Sequence, residues 1–132
     1  MRSRKEIFDE MESMLGRVPS WMLILPDSTL EHDWEIFKAM ELNESNLSPM
    51  QKHLMGVTVA SAQGSPHMAY WHGQMAMAMG ATDTQVDEAY QIARYASGWS
   101  ATLEGQNPEM DFFKNETKQI TEHIRQSMKK AA

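Results

Sequence analysis

The stretch from Gly64 to His72, GSPHMAYWH, decides how the middle of this chain is read. Ser65 and Pro66 make a helix start, with a hydroxyl at the cap and a proline at the first helical position, where its missing N–H removes nothing the helix would use. Small and apolar side chains continue through MAYWHGQMAMAM until Gly80, a natural stop. The nine residues therefore open a helix and bring His67, Met68 and His72 into its first turns. Met68 and His72, four positions apart, share one face.

The same punctuation recurs outward in both directions. Ser48, Pro49 and Gln51 open an earlier helix that runs to about Ala62, with Leu54, Met55, Val57, Val59 and Ala60 expected to be mostly buried. Further back, Ser28 and Glu31 read as a capping box for a helix that ends near Leu42 and lines Leu30, Trp34, Phe37 and Met40 along one face. RVPSWMLILPD, bounded by Pro19 and Pro26, is a packed connection with one helical turn. Ile7, Met11, Met14 and Leu15 set a first helix from about Arg4, stopped by Gly16. Downstream, a helix starts between Thr82 and Thr84 and ends at Gly105. Asn107 and Pro108 then cap and open the last one, whose Phe113, Ile120, Ile124 and Met128 form a stripe. No alternating run of strand length appears. The expected fold is all-α, with six helices in a single domain over residues 1–132.

Composition narrows the function classes. Twelve basic against eighteen acidic residues leave a net charge of −6, which repels polyanions and argues against nucleic acid or an anionic membrane as partner. No segment approaches about 18 uninterrupted apolar residues, and the start, MRSRKEIFDE, lacks a leader's apolar run, so a mature cytoplasmic protein is expected. With no cysteine, there is no disulfide, no thiolate metal site and no sulfur nucleophile. The helix after Pro66 is apolar nearly all round, and four tryptophans add area of the kind found at subunit contacts, so a homo-oligomer is expected.

From Pro49 through HLMGVTVASAQGSPHMAYWHGQMAMAMGATDTQVDEAYQIARYASGWSATLEG, the chain resembles the alkylhydroperoxidase-D-like (AhpD-like) and carboxymuconolactone decarboxylase family. That family's pattern is a helix-opening glutamate, an apolar stretch, a CxxC at the next helix start, a histidine four residues beyond the second cysteine, and a GAT-type turn before an acidic helix start. LGRVPSWMLILPD and the Trp-bearing helix after it also match. The resemblance implies a helical protomer assembled as a trimer or a dimer of trimers. By its spacing, His72 falls on the family histidine, His67 lies inside the former CxxC, the two cysteines become Ser65 and Met68, and the glutamate becomes His53. Dithiol peroxidase chemistry needs one thiolate to attack and a second thiol to resolve, and this chain has neither.

Three functions follow from these replacements. In the first, His53, Met68 and His72, with His67 joining or supporting them, form a borderline-to-soft donor set for a metal ion, copper ahead of zinc, with no organic cofactor. In the second, His53 and His72 divide general acid and base roles in cofactor-free chemistry on a small carboxylated molecule, as the decarboxylase branch implies. Lys52 and Arg94 are then candidates to meet the anion, although each also reads as an ordinary solvated charge. In the third, the site is retired and the protein is an oligomeric scaffold. Ser65 reads as a helix cap and Glu88 as a helix-start carboxylate, His32 and His123 as solvated, and Tyr70, Trp71, Tyr95 and Trp99 as core or interface aromatics.

Overall fold

The computed structural model describes residues 1–132. It contains α1 (Arg4–Leu15), a 3-10 turn (Ser20–Met22), α2 (Asp27–Phe37), a π-helical turn (Lys38–Leu42), α3 (Pro49–Ala62), α4 (Pro66–Ala78), α5 (Asp83–Gln106) and α6 (Met110–Ala131), and no strand. The all-α expectation holds. The chain divides into two units, Met1–Ala93 and Arg94–Ala132.

Unit one has two apolar clusters. In the first, Ile7 and Met11 of α1 pack with Met22, Leu30 and Trp34. In the second, Val57, Ala76, Ala81, Val86 and Ala89 join α3, α4 and the start of α5. Full burial of each large side chain contributes roughly 1.5–3 kcal/mol. The small residues Ala69, Gly73 and Ala76 are the buried ones of α4, and at Gly73 the neighbours are Val86 and Tyr90 of α5 and Val57 of α3.

Local signals explain most helix ends. Ser3 and Glu6 form a complete capping box on α1, and Gly16, at φ 81°, closes it in the left-handed conformation. Ser48 and Gln51 do the same at the start of α3, and Thr82 with Gln85 at the start of α5. The box expected at Ser28 and Glu31 does not form: the cap lies two residues earlier, at Pro26, and Glu31 instead accepts from the Arg2 guanidinium and backbone. A charged partner from another segment outbids a local cap. Ser65 occupies the cap position of α4 without capping through its side chain. At α6 the cap is Glu109 rather than Asn107, because the carboxylate reaches two free amides, of Asp111 and Phe112. On α3, Val57 and Ala60 are buried as expected, but Met55 and Val59 are exposed and His53 takes the buried face.

Unit two comprises the end of α5 and all of α6. No residue of α6 is buried, and the stripe residues Ile120, Ile124 and Met128 are at least half exposed. No helix is long and apolar enough to cross a membrane.

A charge cluster ties α1 to α2. Glu10 accepts from Arg2 at 2.6 Å, the Trp34 indole at 2.7 Å and Lys38 at 3.0 Å. Arg2 first, then Trp34 and Lys38, hold the Glu10 carboxyl far down, at about 2 against 4.5 unperturbed. Because the native value lies below the unfolded one, the unfolded chain binds more protons between them, and this stabilisation is present above 4.5 and lost as pH falls towards about 2. Glu10→Gln should therefore cost about 1–2 kcal/mol at pH 7, after allowance for solvent screening, with the difference from the parent chain shrinking in acid. Urea unfolding at pH 7 and pH 3 measures both; an equal loss at the two pH values would contradict the assignment.

Candidate functional site

Three segments meet at the site, and each delivers its group for a local reason. α3 carries His53 one turn after its cap, on the face turned to α4. His53 is 1% exposed and uses both ring nitrogens. Its Nε2 lies 2.8 Å from the Glu41 backbone carbonyl, and its Nδ1 lies 2.9 Å from Nδ1 of His72 on α4. A carbonyl only accepts, so Nε2 of His53 carries a proton, and the two Nδ1 atoms share the hydrogen bond between the rings. Burial first, and His53 second, lower the His72 pKa below 6.5, so the ring stays neutral at ordinary pH.

The close pairing depends on Gly56. A Cβ at that position would stand 2.5 Å from His72 Cγ and 2.7 Å from its Nδ1. Only a residue without a side chain lets the imidazole lie flat against α3.

The third segment is the π-helical turn Lys38–Leu42, closed by the Asn43 amide donating to Lys38 carbonyl at 2.9 Å. The wider turn frees carbonyls that an α-helix would have used, and that of Glu41 becomes the acceptor for His53. Lys52 satisfies two others: its Nζ donates to the carbonyls of Ala39 at 2.9 Å and Asn43 at 3.1 Å, at the two ends of the turn. The Glu41 carboxylate points inward, accepts from the Trp71 indole at 3.0 Å and lies 3.6 Å from His72 Nδ1. Burial raises its pKa above 4.5, with the Trp71 bond opposing.

One donor atom from each of Glu41, His53 and His72 falls within 4.8 Å of the others. Of the residues singled out in the sequence, His53 and His72 are brought together. Met68 is 45% exposed and lines the same cavity of about 730 Å³, together with Glu41, His53 and His72. His67 is exposed and lines a second, aromatic cavity with Trp21 and Trp71. Ser65 makes no side-chain hydrogen bond that would activate it. Lys52 is occupied as described, and Arg94 lies in unit two. Glu41 escaped sequence reasoning. Its one signal was the position of an acidic residue at the end of a helix, where the dipole disfavours it.

Gly56→Ala should behave opposite to a normal glycine-to-alanine change in a helix, which gains up to about 1 kcal/mol. Here the added methyl must displace the His72 ring, so a loss of about 1–3 kcal/mol is expected, together with loss of the coupled imidazole signals in nitrogen-15 NMR spectra. A stabilised variant with unchanged imidazole signals would show that the contact is loose.

Comparison with known proteins gives the site its setting. The crystal structure of the alkylhydroperoxidase AhpD core from Rhodospirillum rubrum has the same fold, with a TM-score of 0.70 over 80% of either chain at 24% identity. No curated protein matches the chain. The family pattern described as carboxymuconolactone decarboxylase matches residues 26–105, which hold the π-helical turn, both histidines and the two helices that carry them. The chain belongs to the carboxymuconolactone decarboxylase family, and within it has histidine and methionine, and no cysteine, around this site.

Proposed function

We propose that the protein binds a single divalent first-row metal ion through His53 Nδ1, His72 Nδ1 and the Glu41 carboxylate, leaving open positions towards the cavity. The observation that carries this is the 2.9 Å separation of the two Nδ1 atoms beside a half-buried carboxylate. With metal–nitrogen distances of about 2.0–2.1 Å, two ligand nitrogens stand about 2.9 Å apart at a right angle and about 3.3 Å apart in a tetrahedron, so the pair is within a few tenths of an ångström of either geometry. An ion would replace the proton the rings now share. His53 has the outer support such ligands use, since its Nε2 proton is held by a backbone carbonyl, which fixes the tautomer with Nδ1 free.

The donor set also refines the choice of ion. A thioether ligand would favour copper(I); the oxygen donor gathered with the imidazoles is that of Glu41, and two imidazoles with one carboxylate suit copper(II), zinc or iron(II). Met68 then contributes to the cavity wall. A second function rests on the same contact: without metal, the His53–His72 pair is a coupled imidazole dyad in which neutral His72 can serve as a base.

Titration of chelator-treated protein with zinc and copper(II) against a competing indicator tests the metal. One ion per chain is expected. Affinity should be abolished by His72→Ala, lowered about 10–100-fold by Glu41→Gln and unchanged by Met68→Leu. Full affinity in His72→Ala would reject the site, and a large loss in Met68→Leu with none in Glu41→Gln would restore the thioether as ligand.

The proposal takes the chain as a homo-oligomer, supported by the exposed apolar stripe of α6 and by Met55 and Val59 on α3. Sedimentation equilibrium should give a multiple of 15.1 kDa at micromolar concentration, and a monomer mass would refute it.

A further inference from the structure

We infer that the cavity beside His53 and His72 takes a neutral, apolar small molecule and discriminates against carboxylates. The inference names the ligand class of the cavity at the site proposed above and rests on that reading for the site's role, while the discrimination against carboxylates is a property of the metal-free chain.

The cavity measures about 730 Å³, within the range of small-molecule sites. Its charged lining is one-sided. Asp33 and Glu41 contribute two carboxylates, and the one basic residue on the wall, Lys52, spends its ammonium on the carbonyls of Ala39 and Asn43. An anion entering this space would therefore meet two acidic groups and no free cation. The chain's net charge of −6 adds to the same repulsion.

The rest of the wall is apolar and adaptable. Four methionines, Met22, Met40, Met55 and Met68, line it together with Ile36 and Phe37. Unbranched thioethers reshape around different outlines and make favourable contacts with aromatic faces, so the lining suits a polarisable or aromatic body more than one fixed shape. His53 and His72, with Ser45 and Asn46, supply the uncharged polar side chains of the lining that a bound hydroxyl or carbonyl could meet. The lactone-acid substrate implied by the decarboxylase resemblance lacks the counter-charge it would need here.

The test uses the full chain freed of metal by a chelator, labelled with carbon-13 at the methionine methyls, and two probes of one shape: 2-naphthol and 2-naphthoate. The expected result is saturable movement of the Met22, Met55 and Met68 methyl signals by 2-naphthol, with an affinity at least about tenfold above that for 2-naphthoate. Equal or tighter binding of 2-naphthoate, or no movement by either probe, would overturn the inference. Met68→Glu, at an exposed position on the wall, should abolish 2-naphthol binding while circular dichroism stays helical; retained affinity would place the ligand elsewhere and also overturn it. Because the protein is metal-free throughout, a failed zinc titration bears on the ion alone, and a failed probe experiment bears on the cavity alone.

Discussion

Two imidazole nitrogens 2.9 Å apart on neighbouring helices constrain most of this site. His53 is buried, and a buried polar group left without a partner costs about 1–3 kcal/mol, so its two hydrogen bonds fix where α4 and the π-helical turn must lie. The pairing in turn requires α3 and α4 to approach so closely that a methyl group at position 56 would intrude on the His72 ring. Core packing and site chemistry therefore act through the same contact: Gly56 lets the helices come together, and the imidazoles set their register.

The π-helical turn is the second element on which the site depends. Where the helix widens after Phe37 and ends, three backbone carbonyls find partners from α3: that of Glu41 takes His53, and those of Ala39 and Asn43 take Lys52. Adjacent residues of α3 thus serve one turn, the first holding it in place and the second reading it. The carboxylate so positioned is shielded enough to be raised in pKa, and it reaches both the Trp71 indole and the edge of His72. At the other end, Lys38, the first residue of the turn, pairs with Glu10 and Glu35 and so ties it to the α1–α2 charge cluster.

The family pattern and this chain differ at chemically decisive places. Where the pattern has a glutamate and a CxxC, this chain has His53, Ser65 and Met68, and no residue can form a thiolate. His72, at the position of the pattern's histidine, has an imidazole, that of His53, as its neighbour across the helix pair. A carboxylate, that of Glu41, comes from the turn before α3 to complete a group of two imidazoles and one acid. The likeness to the Rhodospirillum rubrum AhpD core extends to the fold, and the side chains of this chain decide what the fold holds.

The helices were legible in the sequence because their causes are local. Caps such as Ser3–Glu6 and Ser48–Gln51, stops such as Gly16 and apolar spacing act within a turn or two of the residues they organise. His53 and His72 could be paired through the family spacing, and the structure brings them together. What only the tertiary structure decided were the interactions between segments far apart in the chain. Glu31 left its cap for Arg2, Lys52 turned from a candidate anion site into a clamp on two carbonyls, and Glu41 entered the site through a π-helical turn that has no sequence signature of its own. In each case a distant charge or buried hydrogen-bonding group outweighed a local preference worth about 1 kcal/mol, and a preference of that size is all that neighbouring residues can announce.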